Sequence, residues 1–362
     1  MTSILISSAI ALVLALFGTP AAIRWFRQRG FGQQIREDGP KAHFVKKGTP
    51  TMGGIVIVLS AVLAYAASHI RLALQCDEAT GVIRCYAESF TASGLLVIGT
   101  VVAMAVLGFL DDFLKISKRR SLGLNKTSKL LGQLVVAAVF TVVARELTQA
   151  STEVSFARPL GIDLAAVFGI WVFFILASSS NAVNLADGLD GLASGSGALV
   201  MGAYVVISFW QFRHPCGPGL PSGCYEAPHS LDLALVSAAI LGAAAGFLWW
   251  NAAPAKIFMG DTGSLALGGA MGSLAILTNT QLLLIVLGGL YVIETTSVIL
   301  QVASFRLFGR RIFKMAPLHH HFELAGWPEF TVIVRFWILA GLAVGLGLGF
   351  FYADFIAQGG IG

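Results

Sequence analysis

The strongest constraint on this chain is a repeated one. Ten stretches of mostly apolar residues, each near the length of one bilayer crossing, are separated by polar, Gly or Pro clusters. They fall at about 4–23, 51–72, 92–110, 130–147, 160–181, 195–212, 231–250, 263–278, 282–304 and 331–352. A helix crossing the hydrocarbon core needs roughly 20 such residues. With 56% hydrophobic and only 12% charged residues over 362 positions, the chain lacks the charge to cover soluble domains, and disorder is excluded by the same figures. The expectation is an all-α integral membrane protein with ten transmembrane helices, forming one polytopic domain over 1–362. The narrowest division is Asn279-Thr280-Gln281, read as a tight hairpin because the combined stretch is too long for one crossing.

Orientation follows from where the bases lie. The first run has no Lys or Arg before it, and Arg24, Arg27, Arg29, Arg36, Lys41, Lys46 and Lys47 follow it. That is opposite to a cleaved signal peptide and reads as a retained span with its N-terminus outside. Ten spans then place the C-terminus outside as well. Nineteen of the 24 Lys and Arg residues, counting Arg335 at the inner edge of the last run, fall on the inner side of this arrangement, as the positive-inside rule requires. The inner segments are about 24–50, 111–129, 182–194, 251–262 and 305–330.

All four cysteines fall on the outer side, Cys76 and Cys85 in one loop and Cys216 and Cys224 in another. An oxidising exterior permits two local disulfides, and free thiols fit the spacing as well. The last run carries Gly341, Gly345, Gly347 and Gly349, a small-residue stripe suited to close helix packing.

Carboxylates are costly at a membrane edge, so their positions are informative. Asp111-Asp112 lies in GFLDDFLK, and Asp187 and Asp190 lie in NAVNLADGLDGLASG behind Asn181 and Asn184. Asp261 lies in NAAPAKIFMGDTGS, and His319-His320-His321 in MAPLHHHFE. Carboxylates, amides, lysines and histidines thus gather on one face. Mg²⁺ is typically held by one or two carboxylates with substrate phosphates, and lysines neutralise what charge remains. Phosphoryl transfer asks a protein mainly for positioning and electrostatic stabilisation. Each motif also has a plainer reading: a solvated helix end for Asp111-Asp112, an Asx-turn for DGLDG, and a helix cap for Asp261. Three consecutive histidines cannot all face one ion from a regular helix, so phosphate or leaving-group contacts suit them better than zinc. Glu294 and Gln301, in the ninth run, read as interhelical hydrogen-bonding groups.

Together with GLNKTSKLLGQ and the early KKGTPTMGG (Lys46 to Gly54), these motifs in this order resemble the phospho-N-acetylmuramoyl-pentapeptide-transferase family. That family lies within the polyprenyl-phosphate N-acetylhexosamine-1-phosphate transferase superfamily. The resemblance implies a ten-helix, multi-pass enzyme of the bacterial plasma (inner) membrane, commonly a homodimer among membrane lipids, with its active site facing the cytoplasm and no nucleic-acid partner. Its reaction moves phospho-MurNAc-pentapeptide from UDP-MurNAc-pentapeptide to undecaprenyl phosphate, releasing UMP and forming lipid I for peptidoglycan. The implied cofactor is Mg²⁺, with Asp261 as principal ligand and Asp111 beside it. Asp111, Asp112, Asp261 and His320 are the implied catalytic residues. Lys115, Lys126, Lys129, Asn181, Asn184, Asp187, Asp190, Asn251, Phe258, Gln301, His319 and His321 are the implied substrate contacts, with Asn251 and Phe258 near the nucleotide. One departure stands out: the family often carries two lysines one residue apart after GL, where this chain reads Asn125-Lys126-Thr127-Ser128-Lys129.

Two schemes follow. Either the lipid phosphate attacks directly while Asp111 orients it or accepts its proton and Asp112 supports the metal or the lysines, or one of the pair forms a covalent intermediate. The same transfer from UDP-GlcNAc is the nearest alternative, and the triple His followed by Phe322-Glu323 favours the MurNAc branch. A transporter would place its polar groups near mid-membrane rather than on inner loops.

Overall fold

The computed structural model describes the chain except residues 33–45, 47, 75, 78–83, 86–89, 119–122, 218–222 and 360–362, and the side chains of 71–89. The architecture is a helical bundle: α1 Thr2–Gln28, α2 Gly54–Leu74, α3 Ala92–Ser117, α4 Lys126–Glu146, α5 Phe168–Ala186, α6 Leu192–Arg213, α7 Ser230–Asn251, α8 Gly260–Leu277, α9 Leu283–Leu287, α10 Gly289–Phe308, α11 Leu318–Leu324 and α12 Glu329–Ala357. Among the described residues, eight helices are long and apolar enough to cross a membrane, and Gly54–Ile70 is a shorter apolar one. Large apolar side chains such as Leu5, Phe17, Ile170, Phe174, Leu307 and Leu342 point outward, as lipid-facing residues do.

At the centre stands α8. From Thr262 to Leu277 every residue is buried, with α3 and α5 packed along it and α2 and α6 beside it. Its glycines and serines let these neighbours approach: a Cβ on Gly268 would strike the backbone of Ser179 and Ser180 in α5. A helix solvated by protein needs less apolarity than one facing lipid, and α8 is accordingly outside the eight. Around this centre α1 and α6 run along α7, and α12 packs on α6 and α9.

Short local signals set the helix ends. The Thr91 hydroxyl caps α3 by accepting from Gly94 N at 3.1 Å, Asn125 Oδ1 caps α4 by accepting from Ser128 N at 2.6 Å, and Gly309, at φ 64°, ends α10 in the left-handed region.

The break at Asn279-Thr280-Gln281 is present: α8 ends at Leu277 and Asn279 takes φ 53°. The ninth run is not one helix. It divides at the Gly288-Gly289 pair into α9 and α10, with Gly288 N donating to Leu284 O at 2.7 Å. Nor are the connections wholly helical. Two antiparallel hairpins, β1 Cys76–Asp77 with β2 Arg84–Cys85 and β3 Glu153–Ser155 with β4 Pro159–Asp163, lie between helices. The glycine stripe of α12 packs within this chain at one position. Only Gly347 packs, against Leu287, while a Cβ on Gly341, Gly345 or Gly349 would meet open space.

Cys216 and Cys224 form a disulfide. Cys76 and Cys85 face each other in the β1–β2 register, but their side chains, and with them that pairing, lie outside the described residues.

Candidate active site

One end of the bundle collects charge from three helices. On α3, Asp111 and Asp112 are buried side by side, and Lys115, one turn on, reaches Asp111 Oδ2 at 2.6 Å, Asp112 Oδ1 at 3.6 Å and Asp261 Oδ1 at 3.1 Å. From α4, Lys129 reaches Asp261 Oδ2 at 2.8 Å. From α5, Asn184 Nδ2 donates to Asp261 Oδ1 at 3.0 Å and to Ser264 Oγ at 2.8 Å, while its Oδ1 accepts from Lys129 Nζ at 3.3 Å. Oxygens of Asp111, Asp112 and Asp261 come within 4.8 Å of one another. Three carboxylates against two ammonium groups leave a net negative charge.

The two adjacent aspartates have different work. Asp112 accepts from the backbone N–H of Asp261 at 3.2 Å and of Thr262 at 3.0 Å, and from the Thr262 hydroxyl at 2.8 Å. It caps α8 from a neighbouring helix, satisfying donors that the first turn of α8 cannot pair internally. Gly260, at φ 73°, makes this possible, since a Cβ there would stand 2.6 Å from Asp112 Oδ2. Asp111 instead accepts from Leu124 N at 2.8 Å, and Gly123 leaves room for the loop to pass over its carboxyl.

The two lysines of the Asn125–Lys129 segment differ in position. Lys129 enters the cluster, one turn into α4, whereas Lys126 is exposed and has no ion pair among the described residues. Helical spacing turns only one of the two toward α8.

Asp187 ends α5 beside this cluster, and burial, with Asp261, Asp112 and Asp190 adding to it, pushes its carboxyl well above the usual range. Asp190 is committed elsewhere. Its Oδ1 accepts from Lys46 Nζ at 2.7 Å and its Oδ2 from Ala255 N at 2.8 Å, while Lys46 also holds Glu329 Oε1 at 2.6 Å. This clasp joins the KKGTP segment, the α5–α6 loop, the α7–α8 loop and the start of α12. Lys46, Ser264, Thr262 and Glu329 were not among the residues singled out from sequence. KKGTPTMGG and GDTGS carried the signal for the first three, and none marked Glu329.

Several expected substrate contacts also have partners within the scaffold. Asn181 Nδ2 donates to Gln133 Oε1 at 3.1 Å and to Ala177 O at 2.8 Å, between α4 and α5. Asn251 is buried, with Oδ1 accepting from Ser194 Oγ at 2.6 Å and Nδ2 donating to Ile257 O at 2.9 Å. Phe258 is half-buried, and its backbone pairs with Pro50 O at 2.8 Å and Gly53 N at 2.9 Å. Gln301 bonds a loop rather than another helix: Oε1 accepts from Ile312 N and Phe313 N, and Nε2 donates to Phe313 O.

The histidines separate by environment. His319 is fully buried, with Nδ1 3.2 Å from Glu294 Oε2 and Nε2 against Gly188 of DGLDG, where a Cβ would not fit. His320 pairs with Glu323 at 2.7 Å, and His321 Nδ1 accepts from Lys314 N at 3.1 Å. As the run implied, the three face three directions.

The comparisons with known proteins agree with this geometry. Residues 94–279 match the model described as Glycosyl transferase family 4, and residues 46–58 match Phospho-N-acetylmuramoyl-pentapeptide-transferase signature 1. A phospho-N-acetylmuramoyl-pentapeptide-transferase of Frankia alni is 54% identical, with 99% of each chain covered. The chain belongs to the phospho-N-acetylmuramoyl-pentapeptide-transferase family. Relatives of that name from Kineococcus radiotolerans, at 52% over 98% of this chain and 99% of theirs, and Rhodococcus opacus, at 50% over 99% of both, extend the match. The family match spans Asp111, Asp112, Lys115, Lys129, Asn184 and Asp261, and the signature spans Lys46, so in this transferase the matched segments and the charged cluster coincide.

Proposed function

We propose that this transferase moves phospho-MurNAc-pentapeptide from its UDP conjugate to undecaprenyl phosphate, releasing UMP and forming lipid I for peptidoglycan. The observation that carries the reading is the convergence of Asp111, Asp112, Asp261, Lys115 and Lys129, with its excess of negative charge, at one end of the bundle. A hard, all-oxygen donor set suits Mg²⁺. Asp261 and Asp111 would hold it in exchange for lysine contacts, while Asp112 stays hydrogen-bonded to the start of α8. When bound, the ion supplies charge neutralisation at the donor diphosphate.

The chain's own groups do the rest. Lys115 and Lys129, paired with the two different oxygens of Asp261, meet phosphate charge. Asp111 orients the lipid phosphate or takes its proton, Asp112 keeps Asp261 in place, and Asn184 fixes both Asp261 and Lys129. Asp187 lies on the nucleotide side, with His320 and His321 presented by α11. Asn181, Asn251 and Gln301 support the site through the segments they hold.

The same reading places ten crossings in a bacterial inner membrane, both termini outside and the cluster facing the cytoplasm, in a homodimer. The basic inner side, suited to phosphate-rich donors and anionic headgroups, supports it. UMP release is the decisive assay, run with UDP-MurNAc-pentapeptide and UDP-GlcNAc, with and without undecaprenyl phosphate and Mg²⁺. Release only from the first donor, requiring lipid and Mg²⁺, is expected; release from UDP-GlcNAc alone overturns the substrate assignment. An enzyme-bound phosphosugar trapped without lipid would replace direct attack by a covalent route.

A further inference from the structure

One buried pair of ionisable groups lies outside the carboxylate cluster and has no part in the transfer steps. Glu294, on the second turn of α10, is fully buried, and so is His319 in α11. A carboxylate enclosed within a membrane-crossing helix is costly and marks a functional position by default. Its one ion pair among the described residues is with His319, whose Nδ1 stands 3.2 Å from Glu294 Oε2, off the line of a straight hydrogen bond. Lone pairs on both atoms would repel at that distance, so the proton belongs on Nδ1. The carboxylate thus fixes both the tautomer of the ring and its direction.

The other edge of the ring meets the DGLDG turn. A Cβ built on Gly188 would stand 2.4 Å from His319 Nε2, and the φ of Gly188 lies outside the left-handed region, so this glycine is required by the contact and not by its backbone. The imidazole is the floor on which the turn rests. One turn earlier on α10, Tyr291 Oη donates to Ala193 O at 3.1 Å, just beyond the DGLDG segment. Thus α10 grips this region at two points. Between them the turn carries Asp187, beside the carboxylate cluster, and Asp190, held by Lys46 at 2.7 Å.

We infer that Glu294 is a positioning residue for the transfer: it holds His319 against Gly188 and so sets where the DGLDG turn presents Asp187 to the donor. The inference rests on the proposed phosphosugar transfer, in which Asp187 lies on the nucleotide side. His319, expected from sequence to touch substrate, is fully enclosed and acts through the turn instead.

The test joins a nitrogen NMR spectrum of isotope-labelled histidine to steady-state UMP release, both on the full chain in lipid nanodiscs. His319 is assigned by the signal lost in His319→Gln, and a protonated Nδ1 is expected. Glu294→Leu should move that proton off Nδ1 and raise the KM for UDP-MurNAc-pentapeptide at least about tenfold, with kcat within a few-fold of the parent. A variant that only destabilises the fold lowers the amount of active enzyme, and with it the apparent kcat, but leaves KM alone. Glu294→Gln, which keeps an acceptor, should bring KM back to within about threefold of the parent. If Glu294→Leu does not fold, Gly188→Ala carries the test from the other side, since its Cβ displaces the ring, alters the Nδ1 signal and raises KM. An unprotonated Nδ1 in the parent, a signal unmoved by the variants, or loss of kcat at constant KM overturns the inference. The spectrum needs no substrate, so a parent that releases no UMP strikes the proposed reaction while the Nδ1 signal still decides the pairing.

Discussion

The two ends of the bundle treat a buried carboxylate in opposite ways. Near the start of α7, Asp232 is surrounded by weakly charged or neutral donors: its Oδ2 accepts from Tyr65 Oη at 2.8 Å, Thr91 Oγ1 at 2.6 Å and Thr91 N at 3.2 Å, with His69 Nε2 3.2 Å from Oδ1. At the far end Asp111, Asp112 and Asp261 crowd together and share Lys115 and Lys129, with Asp187 beside them. A carboxylate that ties helices together needs only hydrogen bonds. Three within 4.8 Å, short of cations, cost stability and are retained where charge must be met.

Substitutions should separate these ends. Asp261→Asn removes the acceptor on which both lysines converge. UMP release should fall by about 10³-fold, the scale seen when a preorganised electrostatic group is lost, while thermal melting changes little. Near-normal turnover would break the comparison. Asp232→Asn should do the reverse, lowering unfolding free energy by about 1–3 kcal/mol through unpaired buried donors, with turnover within a few-fold of the parent. Thermal melting and the same assay read both quantities, and a large loss of turnover without destabilisation would show that the quiet end takes part in the chemistry.

The smallest effect sharpens the comparison within the charged end. Because the Asp187 carboxyl is pushed upward, folding favours its protonated form. Its contribution to stability is therefore complete below the ordinary Asp range and is lost as pH rises through the higher folded-state value. Asp187→Asn should flatten that part of the stability-against-pH curve measured by melting. An unchanged curve would mean that the like charges around Asp187 are already neutralised.

Much of the molecule is legible before folding is considered. The apolar runs locate the helices, because a lipid-facing segment must be apolar along its length, and the Asn279-Thr280-Gln281 break survives in a turn with Asn279 at φ 53°. What escaped was the difference between facing lipid and facing protein. The α8 run looked like its neighbours, yet it is the buried centre, while the glycines of α12, apart from Gly347, face open space. The split of the ninth run at Gly288-Gly289 was likewise hidden inside an unbroken apolar stretch.

For the site, residue types and spacing picked out Asp111, Asp112 and Asp261, and the family resemblance implied the lysines near them. Composition and order along the chain determined that this is a membrane protein whose intramembrane-edge carboxylates gather on one face, since apolar length and charge are local properties. Only the tertiary structure decided the division of labour. Asp112 became the cap of α8, Lys129 rather than Lys126 entered the cluster, and Asn251 and Gln301 became struts for loops, because each depends on which donor or acceptor another segment brings within 3.3 Å.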